Sequence, residues 1–354
     1  MRVIELFAGA GGAALGLEAA GCESLARVEI EPDPCETMRA AGLECIEGDV
    51  RDLSYYEGLQ ADLVWSSFPC QPWSTAGDKK GAKDENRNGW PWTLDAIDFI
   101  EPKWFIAENV TGLTSHSGGC SSGCLGPEDC ARAYFDLEII APLQRRFAWV
   151  GWRILNASSF GVPQNRRRVI IVAGPGAITW PDPTHGKPTK QADLFGRRLL
   201  SWVTVGEALG IDSRVIGGGR NDSVPHRSPR TFRDLTDEPC TTIPAVQIGN
   251  AGPWLVHPSV LEKPAPTVCA MPNGKGCGQW SADQGLREKM EKATGKRRLT
   301  VQECAKLQDF PDDYPWQTET QTKTSLFCQV GNAVPPKLAE VVARAVIEED
   351  QRDA

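Results

Sequence analysis

Long hydrophobic runs are missing from this sequence. None reaches the ~18 consecutive apolar residues that span a bilayer, so no transmembrane segment is expected. The opening residues, MRVIELFA, lack the basic n-region and apolar h-region of a secretion signal. They read at once as a strand, and no N-terminal regulatory domain is expected ahead of it. Without a secretion signal, the 12 cysteines are not expected to build a disulfide framework; free thiols, a catalytic thiol or metal ligands fit better. Positive charge is also short. The chain has 38 Lys and Arg against 46 Asp and Glu, a net charge of −8, which taken alone argues against a nucleic-acid partner.

Net charge is an average, and the distribution is uneven. Residues 180–298 carry 17 Lys and Arg against 12 Asp and Glu, while the remainder carries 21 against 34. A locally basic segment inside an acidic chain can still form an electrostatic footprint for phosphates. Apolar residues at 41% and charged residues at 24% fit a soluble globular protein and argue against extensive disorder. A length of 354 residues suggests two domains, one large and one small.

Residues 1–174 alternate strand and helix patterns. Strands are expected at Arg2–Phe7, Ser24–Ile30, near Cys45 and Ile46, at Asp62–Ser66, Trp104–Ala107, Trp152–Asn156 and Val169–Ala173. Helices are expected to about Ala20, from Pro32, and over about Ala131–Phe147. This alternation predicts an α/β fold: a mostly parallel, Rossmann-like sheet with helices on both faces. After Ala173 the chain turns rich in Gly, Pro, Trp and basic residues, and DEPCTTIPA (237–245) and EKPAPTVCA (262–270) read as two related strand entries. Two copies are too few for a solenoid. Helical pattern returns in 299–308 and in Pro336–Glu349. The expected organisation is a catalytic and cofactor-binding domain over 1–177, a small, irregular, mainly β lobe over 178–297, and a segment over 298–354 that packs back on the first domain.

FAGAGGAALG (7–16) follows a strand and opens a helix, a setting in which backbone N–H groups can approach a ligand closely. A dinucleotide fingerprint is not met, because Gly9 and Gly11 are followed by Ala14 and not by a third glycine. Glu29 closes the second strand, where an acid can accept from ribose hydroxyls. Asp49, after the third strand, can receive an adenine amino group. These features fit any adenosine-bearing cofactor, NAD included. SSFPCQPWS (66–74) separates the choices. Cys70 sits between Pro69 and Pro72 just past the fourth strand, at the ligand-binding edge of such sheets. It reads either as a nucleophile or as a buried structural thiol, and the loop setting favours the nucleophile. Glu108 ends the fifth strand at the same edge, either as a proton-sharing carboxyl that binds a ring nitrogen or as an ordinary capping acid. In VPQNRRRVIIV (162–172), alternation puts Arg166 and Arg168 on one face and Arg167 on the other. Two same-facing guanidiniums suit phosphate and a polar heterocycle edge; a solvated charge run is the plainer reading.

In this order the segments resemble the DNA (cytosine-5) methyltransferase family of prokaryotic or phage type. Residues 3–16 are similar to its cofactor loop, PCQ at 69–71 to its nucleophile motif, and ENV at 108–110 and QNRRR at 164–168 to the signatures that follow. RLTVQECAKLQDFPDDY (298–314) and QVGNAVPPKLAEVVARA (329–345) resemble its two C-terminal motifs. The ordered set covers about two-thirds of the chain, and 178–297 takes the place of the variable target-recognition region.

The resemblance implies S-adenosyl-L-methionine as cofactor. It would be held at Phe7, Ala8, Gly9, Gly11, Gly12, Glu29, Ile30, Asp49, Val50 and Pro69, with Asn332 and Ala333 closing the pocket. It implies a cytosine flipped out of double-stranded DNA, attack of Cys70 on C6, Glu108 at N3, methyl transfer to C5, and β-elimination of Cys70 after loss of the C5 proton. Arg166 and Arg168 would steady the flipped nucleotide, and Gln71, Ser74 and Gln164 would lie against DNA. The loop from Ser74 to Gly89, with Lys79, Lys80, Lys83 and Arg87, would close as a lid. A monomer in the cytoplasm of a bacterium or infected host, without membrane contact, is implied, and a cognate restriction endonuclease would be a functional rather than physical partner.

One stretch departs from that pattern. His116, Cys120, Cys124 and Cys130 lie within 15 residues, so either a structural Zn²⁺ site or a free-thiol loop is open there, although no CxxC knuckle is present. The arginines of GGGRND (217–222) and HRSPRTFRD (226–234) could read base edges, whereas Trp202, Trp254 and Trp280 read as the lobe's small core. Two rival activities stand beside the main one: a tRNA or RNA cytosine-5 methyltransferase of the same architecture, and an NAD-dependent oxidoreductase. The missing third glycine and the PCQ loop argue against the latter.

Overall fold

β1 (Arg2–Leu6) and β4 (Leu63–Ser66) pair side by side in parallel, and both are buried almost throughout. They are the centre of a seven-stranded sheet in a computed structural model. The structure describes residues 1–69, 88–116, 130–187, 199–210, 299–317 and 319–352, together with the backbone of five short strands between 214 and 298. The sheet order is β3-β2-β1-β4-β5-β8-β6. Here β2 is Glu23–Glu29, β3 Ile46–Glu47, β5 Trp104–Val110, β6 Trp149–Asn156 and β8 Arg167–Gly174, with β7 (Gln164–Asn165) outside it.

Helices cover both faces, as strands this buried require. On one face Ile4, Leu6, Val64, Phe105, Val169 and Ile171 pack with residues of α3 (Trp90–Ile100) and of a helical run that begins as α4 (Ala131–Tyr134), passes through a π-helical stretch at Phe135–Ile140 and ends as α5 (Ala141–Arg146). On the other face Val3, Leu63, Trp65, Ile106 and Val172 pack with α1 (Gly12–Ala19) and the C-terminal helix Pro336–Arg352. Another helix, α2 (Pro32–Ala40), starts on Pro32 as expected.

Two compact units result. The first takes in Met1–Phe160, Arg166–Thr184 and Ala333–Ala354, the second Gly161–Asn165 and His185–Asn332. Residues 299–332, which the sequence reading joins to the catalytic segment, group with the second unit. That unit holds β9 (His185–Gly186), β10 (Leu200–Ser201), α6 (Val205–Leu209), β11 (Arg214–Gly217), β12 (Arg233–Asp234), β13 (Cys240–Thr241), β14 (Trp254–Val256), β15 (Lys296–Arg298), α7 (Val301–Leu307) and α8 (Lys323–Asn332). Its four-stranded sheet, β12-β11-β14-β15, is antiparallel throughout. The last helix, α9, is the Pro336–Arg352 element of the first unit.

Several expected boundaries shift. β5 runs on to Val110 instead of stopping at Ala107, because its antiparallel ladder with β8 continues as far as Val110 opposite Arg168. β8 accordingly starts at Arg167, two residues early, and β6 at Trp149 instead of Trp152. β8 is the one reversed strand, antiparallel to both neighbours. The link from β6 to β8 is too short for the crossover that a parallel pair needs. Helices α3 and α8 were not anticipated: α3 begins just after a Gly-rich charged stretch, and α8 reads KTSLFCQVGN with only a thin apolar stripe. Of the two related phrases, the first contains β13, which pairs with β7; the second lies outside the described residues. Among the described residues, no helix is long and apolar enough to cross a membrane.

Candidate active site

The loop after β1 departs from ordinary backbone at three places. Phe7, Gly9 and Gly11 take positive φ angles of 56°, 57° and 81°. Such left-handed turns are cheap for glycine and costly for phenylalanine, and strain of this kind concentrates at binding sites. The loop is tied down by Ala8 N donating to the Val28 carbonyl at 3.1 Å and Gly11 N to the Ala8 carbonyl at 3.2 Å. Nothing lies within 4 Å of the place a Cβ on Gly9 would take, so the backbone there faces open space. Gly12 opens α1 immediately afterwards.

Glu29 ends β2 beside this loop. One carboxylate oxygen accepts from Gly9 N at 2.8 Å, the other from Glu31 N at 3.0 Å. Burial pushes the Glu29 carboxyl up, against the lowering effect of the backbone N–H groups of Glu31, Gly9 and Ile30. The next residue, Ile30, is 57% exposed. Past β3, Asp49 is held by Arg51, whose Nε stands 3.0 Å from both carboxylate oxygens, and that pairing keeps the Asp49 carboxyl below its ordinary value. Arg51 itself lies over the Trp92 ring, 4.8 Å from its centroid. Val50 is buried, and its carbonyl accepts from Tyr56 Oη at 3.2 Å.

The loop after β4 comes to the same edge. A Cβ added at Gly89 would stand 2.6 Å from Cδ of Pro69 and 2.9 Å from Cζ of Phe7, so only bare backbone fits between the two loops. Buried Asn109 donates from Nδ2 to the Phe68 carbonyl at 3.0 Å, while its Oδ1 accepts from Val110 N at 2.8 Å. Next to it, Glu108 is 6% exposed and pairs with Arg168, Nε to Oε1, at 2.7 Å. Arg168 also donates to the Arg167 carbonyl.

Arg166 is 1% exposed and donates from Nη2 to the Ala333 carbonyl at 2.8 Å. Burial disfavours its charge, neighbouring Arg168 adds to the effect, and Glu108 opposes it. The expected alternation is visible, with Arg167 exposed and Arg166 and Arg168 inward. Ala333 is buried and Asn332 exposed. Gln164, expected against DNA, is fully buried in the second unit, and its amide nitrogen donates to Gln308 Oε1 at 2.8 Å.

The structure thus brings Phe7, Gly9, Glu29, Asp49, Pro69 and Glu108 to the C-terminal edge of five parallel strands, where doubly wound sheets bind ligands. Cys70, Gln71, Ser74 and the basic residues of the expected lid lie outside the described residues. So do Cys120 and Cys124; of that cluster His116 Nδ1 and Cys130 Sγ are described, 3.8 Å apart. No group of three potential metal ligands occurs among the described residues. Sequence reasoning missed Asn109, which was only the middle letter of ENV, and Trp92, and it met Gly89 only as the end of the expected lid.

Comparisons with known proteins show what the chain as a whole is similar to. The model of the C-5 cytosine-specific DNA methylase family matches residues 1–194 and 259–348. The chain is 33% identical to the type II methyltransferase M.NgoMIV of Neisseria gonorrhoeae, over 98% of this chain and 96% of that protein. It is 29% identical to the type II methyltransferase M1.HphI of Haemophilus parahaemolyticus, over 98% and 87%. In fold it is similar to the S. pombe Dnmt2 methyltransferase, with a TM-score of 0.62 at 17% identity over 99% of both chains. A prophage-encoded DNA modification methyltransferase of E. coli gives 0.58 at 17% identity over 98% and 99%.

Proposed function

The chain belongs to the C-5 cytosine-specific DNA methylase family, and from that premise we propose that it methylates C5 of cytosine at a specific sequence in double-stranded DNA. The residues present fit the cofactor that the family implies. Gly9 offers open backbone, Glu29 presents a carboxylate beside it, and Ile30 exposes an apolar face next to both. S-adenosyl-L-methionine, when bound there, supplies an electrophilic methyl group. Glu29 would take the ribose hydroxyls, Asp49 and Val50 the adenine edge, and Phe7 and Pro69 the wall toward the base.

The protein's own part is to make an unreactive ring nucleophilic. Cys70 would add to C6 of a base drawn out of the stack. Glu108 would hold N3, where charge builds up, and Arg168 would keep Glu108 in place and reach the O2 edge. Loss of the C5 proton would then let Cys70 leave. The observation that carries this reading is the buried Glu108–Arg168 pair, one residue from the Asn109 contact to the loop entering Cys70. Arg166, wholly buried on the Ala333 carbonyl, would act by fixing that carbonyl beside the cofactor.

The basic 178–297 region would supply target recognition, and the enzyme would serve as the modification half of a restriction system in the cytoplasm. Bisulfite sequencing of plasmid DNA from cells expressing the protein, beside a Cys70→Ser control, tests all of this. Protected cytosines in one sequence, absent from the control, are expected. No protected cytosine in DNA, with 5-methylcytosine instead in digested tRNA, would overturn the DNA reading. NADH binding in place of S-adenosylmethionine would overturn the methyl-transfer reading.

A further inference from the structure

Ten residues apart in sequence, Cys35 and Cys45 place their sulfurs 3.4 Å from each other. Cys35 lies in α2, wholly buried, and its Sγ donates to the main-chain carbonyl of Glu29 at 3.4 Å. Cys45 is half-buried, just ahead of β3, and Arg39 donates to its carbonyl at 3.3 Å. The same Glu29 carbonyl accepts from Gly48 N at 2.9 Å. The two thiols therefore stand directly behind the residue that carries the cofactor-facing carboxylate. Nothing in the methyl-transfer chemistry uses them.

We propose that Cys35 and Cys45 form an oxidisable thiol pair behind Glu29, and that their disulfide, formed by a hydroperoxide, lowers affinity for the cofactor. The second half rests on the proposed function. A sensor pair needs one accessible, thiolate-prone cysteine and a resolving partner within reach. Cys45 meets the first need: its contact with the Cys35 sulfur and the Arg39 guanidinium hold its pKa below the ordinary thiol value. Cys35 meets the second. Contact with Cys45 and burial push its own thiol up, so it remains protonated until the partner reacts.

The chemistry balances in two steps. The Cys45 thiolate attacks the terminal oxygen of the hydroperoxide, the O–O bond breaks, and the other oxygen leaves as alcohol or water; Cys45 becomes a sulfenic acid. The Cys35 sulfur then attacks the Cys45 sulfur, the S–O bond breaks, and hydroxide departs as water with the Cys35 proton. Two thiols have lost two electrons and two protons, and the peroxide has gained them. Forming the bond brings the sulfurs closer than 3.4 Å and removes the S–H donated to Glu29. Both changes bear on the stretch that sets the Glu29 carboxylate against Gly9.

The test compares wild-type protein with Cys45→Ser, each reduced or treated with hydrogen peroxide. Digestion and mass spectrometry read the pair, and calorimetric titration with S-adenosylmethionine reads the pocket. A Cys35–Cys45 cross-linked peptide is expected in oxidised wild type. Affinity should fall roughly tenfold, the loss of about one hydrogen bond to a charged group. Dithiothreitol should restore it, and peroxide should leave the affinity of Cys45→Ser unchanged. Absence of that peptide overturns the proposal, as does an equal loss of affinity in the variant or a cross-link that leaves affinity intact. Reduced wild type that binds no S-adenosylmethionine would instead fail the functional reading, and the digest still decides whether the pair forms.

Discussion

Asn109 Nδ2 donates to the Phe68 carbonyl across 3.0 Å, joining the strand that carries Glu108 to the loop that enters Cys70 two residues later. Both side-chain polar atoms of Asn109 are spent, since Oδ1 holds Val110 N. Asn109→Ala would leave a buried carbonyl unpaired, at a cost of about 1–3 kcal/mol in stability. The larger effect is expected on turnover. A nucleophile loop misplaced by a fraction of an ångström loses on the order of 10- to 100-fold in kcat. Affinity for S-adenosylmethionine should change far less, because the loop that carries Gly9 hangs from β1 and β2 and only Pro69 of the proposed pocket wall follows Phe68. Steady-state methylation beside calorimetric titration checks this split; equal losses in both would make Asn109 a general stabiliser only.

Glu108→Gln keeps the shape of the side chain and removes its charge. Arg168, 2.7 Å from the carboxylate, then faces a neutral amide. The proposed hold on a ring nitrogen is lost as well, and turnover should fall by roughly 10²–10⁴. Cofactor affinity should persist, since Glu29 and Gly9 are untouched. Wild-type turnover in the variant would remove Glu108 from the chemistry.

The central strands were legible because their chemistry is local. VIIVA and LVWS are apolar on both faces, and only a sheet covered on both sides asks for that. Glu29 and Glu108 were legible for a related reason: a carboxylate at or near the C-terminal end of such a strand sits at the ligand edge. The reversal of β8 was not legible, because a sheet partner lies far away in sequence and an apolar strand looks the same in either direction. Nor was the fate of QNRRR. Alternation put Arg166 and Arg168 on one face, but nothing local pointed to the partner of Arg166, the Ala333 carbonyl 167 positions away. Gln164 read as an exposed contact and packs on Gln308. Gly89 looked like loop filler until Phe7 and Pro69 were seen to close on it.

Glu5 sits in the middle of β1, 2% exposed, with Arg27 Nε 4.0 Å from its Oε2. Burial raises its carboxyl from an ordinary 4.5 to about 8, against the pull of Arg27 and with Cys45, Glu18 and Glu29 adding to the rise. The folded protein thus binds a proton that the unfolded chain releases. The resulting stability is complete below pH 4.5 and is lost as pH climbs through about 8. Within that window the slope is at most about 1.4 kcal/mol per pH unit. Glu5→Gln removes the titration. Relative to wild type, the variant should gain stability steadily from acid to mildly alkaline pH in urea unfolding. A pH-independent difference would mean that Glu5 stays charged beside Arg27.

Gly16 shows how closely the two helices on the far face of the sheet approach. A Cβ there would meet the Pro336 carbonyl head-on and stand 2.7 Å from Cβ of Ala339 and 2.8 Å from N of Glu340. Two of these neighbours are backbone atoms near the start of α9, which cannot swing aside as a side-chain tip can. Gly16→Ala should improve helix propensity in α1 by about 1 kcal/mol. Against this, forcing α1 and α9 apart costs about 1–3 kcal/mol, and the net change should be a lower Tm. The displacement also has somewhere to go. α9 begins three residues after Ala333, whose carbonyl holds Arg166. Turnover should therefore fall along with Tm, more than a purely structural change on the opposite face of the sheet from α3 would bring. Thermal unfolding and methylation assays on the same preparation test both halves. A variant with raised Tm and full activity would show that α9 moves aside freely and that Ala333 does not follow it.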